Sequence, residues 1–116
     1  MCIRDSSKAV YQGKIFVNSD AQKTDGYQLS KAILLNKDSE FNPKPELEIY
    51  ADDVKCSHGS ASGSLNDDSI FYLMSRGLSY HQSRELLING FLLDVVEKIT
   101  DPEIKNLIKN MIGLKE

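Results

Sequence analysis

The sequence lacks most of the features that assign a chain to a specialised class. Its two cysteines, Cys2 and Cys56, are too few and too far apart for a disulfide framework. It has no block of lysines and arginines and a net charge of −3, so nucleic acid is not an expected partner. Its apolar runs are short and no signal-peptide core is visible, so we expect no membrane partner and a location in the bacterial cytoplasm or an organellar matrix or stroma.

Familiar catalytic motifs are also missing from the sequence. Gly59 and Gly63 are not followed by the Lys-Ser/Thr pair of a phosphate-binding loop. Ser62 lacks the second glycine of a nucleophile elbow, because Ser64 occupies that place. We therefore predict no catalytic residue and expect that the chain is not an enzyme.

The first residues do not join the pattern that follows them. Residues 1–7 resemble either a non-native leader or a disordered start, and we exclude them from functional reasoning. If they are non-native, Cys56 is the one native cysteine.

Strand patterns occupy residues 8–64. The predicted strands are rich in β-branched and aromatic residues or alternate in polarity, and polar clusters separate them. They are expected at Ala9–Val17, Gln28–Leu35, Glu46–Ala51 and Val54–Ser60, with Pro43 and Pro45, which cannot donate to a sheet ladder, before the third. A sandwich, a barrel and a β-solenoid all fit this pattern. The length best fits two or three coils at the end of a solenoid, although no internal repeat is obvious.

Residues 65–116 have the period of helices and predict a small domain of about three. Asn66 is the expected first N-cap, Ser79 with Gln82 a capping box for the second helix, and Thr100 with Glu103 another for the third. The second helix is apolar on several sides. It is either enclosed by its neighbours and the strands or forms a protein-docking surface, and the sequence does not choose between them.

One segment carries residue types that could bind a metal. In an extended strand Asp52, Cys56 and His58 would lie on one face. A thiolate and an imidazole at that spacing could both reach one soft or borderline metal, but a partner chain would have to complete the site. In the alternative, Cys56 is a small buried apolar residue and His58 a hydrogen-bonded strand residue. His81 is expected to be a solvated surface histidine.

Three stretches resemble the SufD branch of the SufB/SufD family. Leu47–Gly59, read LEIYADDVKCSHG, is similar to the signature segment of that branch, and its Lys-Cys-Ser-His-Gly run is the specific part. Phe71–Leu78 resembles the helix and turn that follow it, and Ala21–Gln28 the preceding coil. One departure is Ser60–Gly63, where the family often has Ala-Thr-Val-Gly.

The resemblance implies a fold and a role. The implied fold, mixed β then α, is the last coils of a right-handed parallel β-helix over residues 8–64, followed by a C-terminal helical domain over residues 65–116. The implied role is that of a scaffold subunit in SUF iron–sulfur cluster assembly. Its implied partners are a SufB-type subunit, paired through the β-helix ends, and a SufC-type ATPase, docked on the helical domain.

The resemblance also implies two sets of site residues. His58 and Cys56 would bind a transient iron–sulfur cluster at the interface with SufB, with no tightly bound cofactor expected. The helical residues that would dock the ATPase are apolar: Phe71, Leu73, Met74, Leu87, Phe91 and Val95. Two other functions remain open, a purely structural interaction module and a thiol- or metal-dependent enzyme that uses Cys56 and His58.

Overall fold

Strands fill the first part of the chain and helices the second. The fold is that of a computed structural model, which describes the backbone of residues 2–3 and all of residues 7–114. The strands are β1 (Cys2–Ile3), β2 (Lys8–Val17), β3 (Asp25–Leu34), β4 (Glu40–Ile49) and β5 (Lys55–Ser64). The helices are α1 (Asp67–Ser75), α2 (Tyr80–Val96) and α3 (Pro102–Met111). The chain divides into two units, residues 1–64 and residues 65–116.

The described strand pairings are all parallel. β2 pairs with β4 over the ten residues of each strand, and β3 pairs with β5 in the same way. The two-residue β1 lies on the other side of β3, so the sheet orders are β1-β3-β5 and β2-β4. Each strand therefore pairs with the strand two along in sequence, and the strand between them supplies the crossover that parallel pairing needs.

The predicted terminal coils of a right-handed parallel β-helix are wrong for this chain. The described residues form two separate small parallel sheets, and each contains only two strands of ten residues. A solenoid buries a continuous core by stacking at least about three repeats. Residues 8–64 supply four ten-residue strands, two to each sheet, which is fewer than such a stack needs.

Strand β4 begins at Glu40, earlier than the predicted start at Glu46, and it therefore includes Pro43 and Pro45. Its order beside β2 leaves it at the edge of the described sheet. Proline is tolerated on an edge strand, where alternate N–H groups point away from the partner. The two prolines are two residues apart, so they lack an N–H on the same side of the strand and need not interrupt the pairing with β2.

The leader predicted over residues 1–7 falls largely outside the described residues, and that expectation stays a prediction. Within it, the backbone of Cys2–Ile3 forms β1 and pairs with Ile33 and Leu34 of β3.

The two sheets approach each other through glycine. A β-carbon at Gly26 would lie 3.7 Å from Ile15 of the other sheet, and one at Gly13 would collide with the Gln28 side chain. Val17 and Ala32 are buried in this first unit. The space at Gly13 is filled by the facing glutamine, so a residue without a side chain is needed there, whereas a β-carbon at Gly26 would make ordinary van der Waals contact.

The opposite face of the β2–β4 sheet is a ladder of charged side chains. Lys8 Nζ lies 3.0 Å from Glu40 Oε2, and Gln12 Nε2 donates to Glu46 Oε1 at 3.2 Å. Lys8 and Glu40 are direct register partners, whereas Gln12 reaches diagonally to Glu46, two residues beyond its own partner Lys44. Both pairs belong to the cross-strand type that stabilises sheets.

The ladder ends in a small cluster around Glu48. Lys14 forms an ion pair with its carboxylate, and the Tyr50 hydroxyl donates to Glu48 Oε1 at 2.7 Å. These contacts, the lysine first, lower the pKa of Glu48 below its usual value, and the same bond raises the pKa of Lys14. The Phe16 and Tyr50 rings lie 5.7 Å apart between centroids. The cluster joins the ends of β2 and β4 on the solvent side.

Local capping signals fix the starts of the first two helices. Asn66 accepts a hydrogen bond from the Ser69 N–H at the start of α1. At α2 the Ser79 hydroxyl accepts from the Gln82 N–H, while the Gln82 side chain accepts from the Ser79 N–H. The capping predictions for these two helices are confirmed, because the signal needs only residues within one turn.

The predicted cap of α3 is one residue off. Asp101, not Thr100, is the N-cap, and its Oδ1 accepts from the N–H groups of Glu103 and Ile104. Pro102 then occupies the first turn. Aspartate carries a full negative charge at the positive end of the helix, which explains why it is preferred over the neighbouring hydroxyl.

The core of the helical unit is small. Helix α2 packs against both α1 and α3, and the buried apolar residues are Ile70, Ile88, Val96 and Leu114. Much apolar surface is left exposed, and α3 has no buried residue at all among those described. The unit therefore encloses only part of α2. The sequence had not decided whether this helix is enclosed or exposed to a partner.

An ion-pair cluster joins α2 to α3 at the surface. The Glu97 carboxylate lies 2.9 Å from Lys109 Nζ and 3.1 Å from Lys105 Nζ. Lys105 Nζ also donates to the Glu97 carbonyl at 3.4 Å, close to the C-terminus of α2. The two lysines, Lys109 first, hold the pKa of Glu97 below its usual value.

We predict opposite effects for alanine at two helical glycines. Gly77 follows α1 with φ +98°, whereas Gly90 lies inside α2 with open space around its α-carbon. Gly77→Ala should lower the free energy of unfolding by about 1 kcal/mol, because alanine is strained in that backbone region. Gly90→Ala should raise it by roughly 0.5–1 kcal/mol through helix propensity. Urea denaturation of both variants checks this, and effects of the same sign would contradict it.

We also predict how Glu97 contributes to acid stability. Its pKa is lower in the folded than in the unfolded chain, so its stabilising effect is complete above the unfolded pKa. The effect is lost as pH falls below the ordinary glutamate pKa of about 4.3 and through the lower folded pKa. Glu97→Gln should flatten the loss of unfolding free energy in that window, and Lys109→Gln should flatten it more than Lys105→Gln. Urea denaturation across a pH series measures it, and unchanged slopes would refute the assignment.

Candidate metal site

Cys56 and His58 lie on the same face of β5, as the period of a strand predicts. Their register partners on β3 are Gly26 for Cys56 and Gln28 for His58. Side chains of register partners point the same way, so the face that carries both candidate ligands also carries Gln28. This face is turned toward the β2–β4 sheet, since Gly26 and Gln28 meet residues of β2.

The Cys56 thiol packs over Gly26. Its Sγ lies 3.5 Å from the place that a β-carbon on Gly26 would take, with Ile15 on the other side of the same space. Cys56 is free and half-buried. The thiol therefore packs on apolar groups on one side and is partly exposed on the other, so a metal bound by a second molecule could reach it.

His58 is exposed at the described end of the same sheet. Nothing on the described strands continues the sheet beyond β5, so the imidazole is reachable from that direction. An exposed imidazole next to a partly exposed thiol supplies one nitrogen and one sulfur donor, both of which suit iron.

Asp52 does not join this pair as predicted. It is exposed and precedes β5, which begins only at Lys55. Within the described part of the chain, no group of three or more His, Cys, Asp and Glu residues is placed to hold a metal ion. Cys56 and His58 are thus two donors of suitable chemistry that by themselves form an incomplete site.

Gly59, the last residue of the Lys-Cys-Ser-His-Gly run, lies where a side chain would meet residues of β3. It lies on the opposite face of β5, where a β-carbon would come within 2.9 Å of the Tyr27 hydroxyl and 3.5 Å of Leu29. Both β3 side chains cross over this position. Glycine therefore lets β5 lie beside β3 in the register that places Cys56 and His58.

Gln28 is a site residue that sequence reasoning missed. Its Nε2 donates to the Tyr11 hydroxyl at 3.0 Å, and its Oε1 is buried without a hydrogen-bond partner. The residue lies inside a predicted strand, so alternation alone could have placed it on one face. Only the pairing of β3 with β5 shows that this face also carries His58.

The remaining polar candidates have structural explanations. His81 is exposed near the start of α2, with its Nδ1 3.6 Å from Glu85 Oε2. Asp67 and Asp68 lie in the first turn of α1, where carboxylates favour the positive helix end.

The six predicted docking residues divide into two groups. Phe71, Met74 and Val95 are exposed, with 74%, 44% and 61% of their surface accessible. Leu73, Leu87 and Phe91 are half-buried. The first group is available to a partner, whereas the second also contributes to packing within the helical unit.

Comparison with known proteins assigns a family. The SUF system FeS cluster assembly, SufBD core domain family matches residues 1–91. The chain belongs to the SufBD family. The resemblance seen in the sequence is confirmed.

Named relatives of this SufBD chain share its sequence over most of its length. The iron–sulfur cluster assembly protein SufD of Escherichia coli K12 is 40% identical over 111 residues, which are 96% of this chain and 26% of the relative. The chloroplastic protein ABCI7 of Arabidopsis thaliana is 41% identical over 107 residues, 92% of this chain and 22% of the relative. A SufBD family protein of Synechocystis is 37% identical over 115 residues, 98% of this chain and 25% of the relative.

The SufBD chain thus spans about a quarter of the length of these relatives. The relatives come from bacteria and, in one case, from a chloroplast. Among residues 2–3 and 7–114, no helix has the length and apolar character to cross a membrane.

Proposed function

We propose that this chain is part of a scaffold subunit on which the SUF system assembles iron–sulfur clusters. The observation that carries the proposal is the pair Cys56 and His58, which share one face of β5 in a chain of the SufBD family. The cluster is the cargo of such a subunit and not a resident cofactor. The proposed subunit is not an enzyme itself.

The two donors fit a shared cluster site. A thiolate sulfur and an imidazole nitrogen both bind iron, and two ligands hold it weakly enough to release a product. Since the described residues supply no third ligand to the pair, the remaining ligands come in this proposal from a SufB-type subunit. The exposed end of the β1-β3-β5 sheet is where such a subunit would approach.

The helical unit supplies the second proposed interface. Its exposed apolar side chains are more than a small unit of this kind needs for its own core. We assign Phe71, Met74 and Val95 to the docking of a SufC-type ATPase, with Leu73, Leu87 and Phe91 supporting them from within the unit. We place the complex in the bacterial cytoplasm or in an organellar matrix or stroma.

Two other functions are less favoured by the site. A thiol enzyme needs an activated nucleophile in an electropositive setting, whereas the Cys56 thiol packs on Gly26 beside Ile15. A purely structural interaction module would need neither donor, so the variant of His58 below distinguishes it from a cluster scaffold.

We predict that His58→Ala abolishes cluster formation in a full-length subunit that carries this sequence, assembled with SufB-type and SufC-type partners. His58 is exposed on β5, so the variant should still fold and still bind both partners. Anaerobic absorption spectroscopy measures the cluster, and co-purification measures the complex. His81→Ala, at the other histidine, is the control and should form clusters normally. Normal clusters with His58→Ala would make His58 structural and refute its role.

We predict that Phe71→Ser and Val95→Ser each weaken binding of the SufC-type ATPase by about fivefold or more. Both residues are exposed, so the free energy of unfolding should stay within about 0.5 kcal/mol. Isothermal titration with the full-length subunit measures the affinity.

Val10→Ser is the matched control for this surface, because Val10 is 57% exposed on β2. It should leave affinity for the ATPase unchanged. Equal effects of the β2 and helical variants, or none from the helical ones, would contradict the assignment.

A further inference from the structure

The Gln28 amide is held in one place by residues of the facing sheet. Its Nε2 donates to the Tyr11 hydroxyl at 3.0 Å. It also occupies the space above Gly13, where a β-carbon would collide with it and would lie 2.8 Å from the Tyr11 hydroxyl. A hydrogen bond and a slot without a side chain therefore fix the amide from the side of β2.

The other end of this amide is unpaired. Gln28 Oε1 is buried and has no hydrogen-bond partner in the structure. A buried acceptor without a donor is costly, so such atoms usually have a partner in the working state of a protein. A side chain on the same face that is not already committed to another hydrogen bond can supply the donor.

His58 is the donor that the register provides. It is the direct partner of Gln28 across β3 and β5, and neighbouring strands lie about 4.8 Å apart. A glutamine and a histidine side chain together are long enough to bridge this gap. Ser30 and Ser60 lie two residues further along the same face, and their side chains are short. In its neutral form the imidazole has one N–H to donate and one nitrogen that accepts.

We propose that Gln28 is the positioning residue of His58. Its Oε1 accepts a hydrogen bond from the N–H of one imidazole nitrogen and so turns the lone pair of the other nitrogen toward the open edge of the sheet. This inference rests on the proposed role of His58 as a ligand of the cluster. Outer partners of this kind orient ligating histidines and fix which nitrogen binds the metal.

The test reads the imidazole itself. Nitrogen-15 NMR of the full chain, labelled at histidine and held at alkaline pH, gives the ratio of the two neutral tautomers for each histidine. The same chain unfolded in urea is the reference, because His81 has the Glu85 carboxylate beside its Nδ1. The tautomer ratio of His58 in the folded, unmodified chain should differ from that in the unfolded chain by about fivefold, the size of one net hydrogen bond. Equal folded and unfolded ratios overturn the proposal without any variant.

Three variants separate positioning from packing. Gln28→Leu keeps the size but removes the acceptor, and should return the His58 ratio to that of the unfolded chain. Gln28→Glu keeps an acceptor oxygen and should restore the preference. If the amide instead donates to His58, glutamate cannot replace it, and that result overturns the proposal. Gln12→Leu, on the outer face of β2 where Gln12 bonds Glu46, is the matched control and should change nothing at His58.

Cluster formation is measured separately in the full-length complex. A His58 ratio that follows Gln28 together with normal clusters in His58→Ala would keep the positioning contact and refute the proposed function. A His58 ratio that does not change in the Gln28 variants, together with lost clusters in His58→Ala, would refute the positioning contact and keep the proposed function. If both hold, Gln28→Leu should lower the cluster yield by about tenfold or more, in the range found for outer partners of metal ligands.

Discussion

The in-register parallel pairing of β3 with β5 is the constraint on which the candidate site depends. A shift of one residue would turn every side chain of β5 to the other face, and Cys56 and His58 would leave the sheet that faces β2 and β4. Gly59 suits the observed register, because a β-carbon there would lie 2.9 Å from the Tyr27 hydroxyl. Gly26 lies under the Cys56 thiol, where a β-carbon would be in ordinary van der Waals contact with the sulfur.

The same pairing leaves the site incomplete at one side. β5 is the last described strand of its sheet, so its ligands face an end that no further strand of the described chain covers. Two donors without a third are a poor permanent metal site but a reasonable half of a shared one. Membership of the SufBD family gives that half-site a context, namely iron–sulfur cluster assembly. The chemistry of the two donors therefore suits the proposed half-site, which a second chain would complete.

The helical unit follows a different rule, in which local signals set the elements and a small core leaves much of their apolar surface uncovered. Asn66, the Ser79–Gln82 box and Asp101 begin the helices through bonds within a single turn. Glu97 then ties α2 to α3 through two lysines at the surface. The exposed Phe71 and Val95 remain unexplained by packing inside the unit. The unit thus presents apolar surface that its own core does not enclose.

Much of this protein could be predicted from the sequence because the signals involved are short. The strand period placed Cys56 and His58 on one face, the capping residues placed two helix starts, and one short run indicated the family. Where the sequence was wrong, a longer-range fact decided. The prolines of β4 are accommodated by its place at an edge, Asp52 lies before the strand that it was expected to extend, and the strands divide between two small sheets instead of stacking in a β-helix.

Gln28 shows the division most clearly. The sequence by itself determined the family, the two candidate ligands Cys56 and His58 and the face that they share, because each of these needs only neighbouring residues. Only the tertiary structure brought Gln28 beside His58 and Gly13 beneath its amide, since these residues belong to three different strands. Which strands pair, and in which register, depends on contacts between residues far apart in the chain, and no local pattern carries that information.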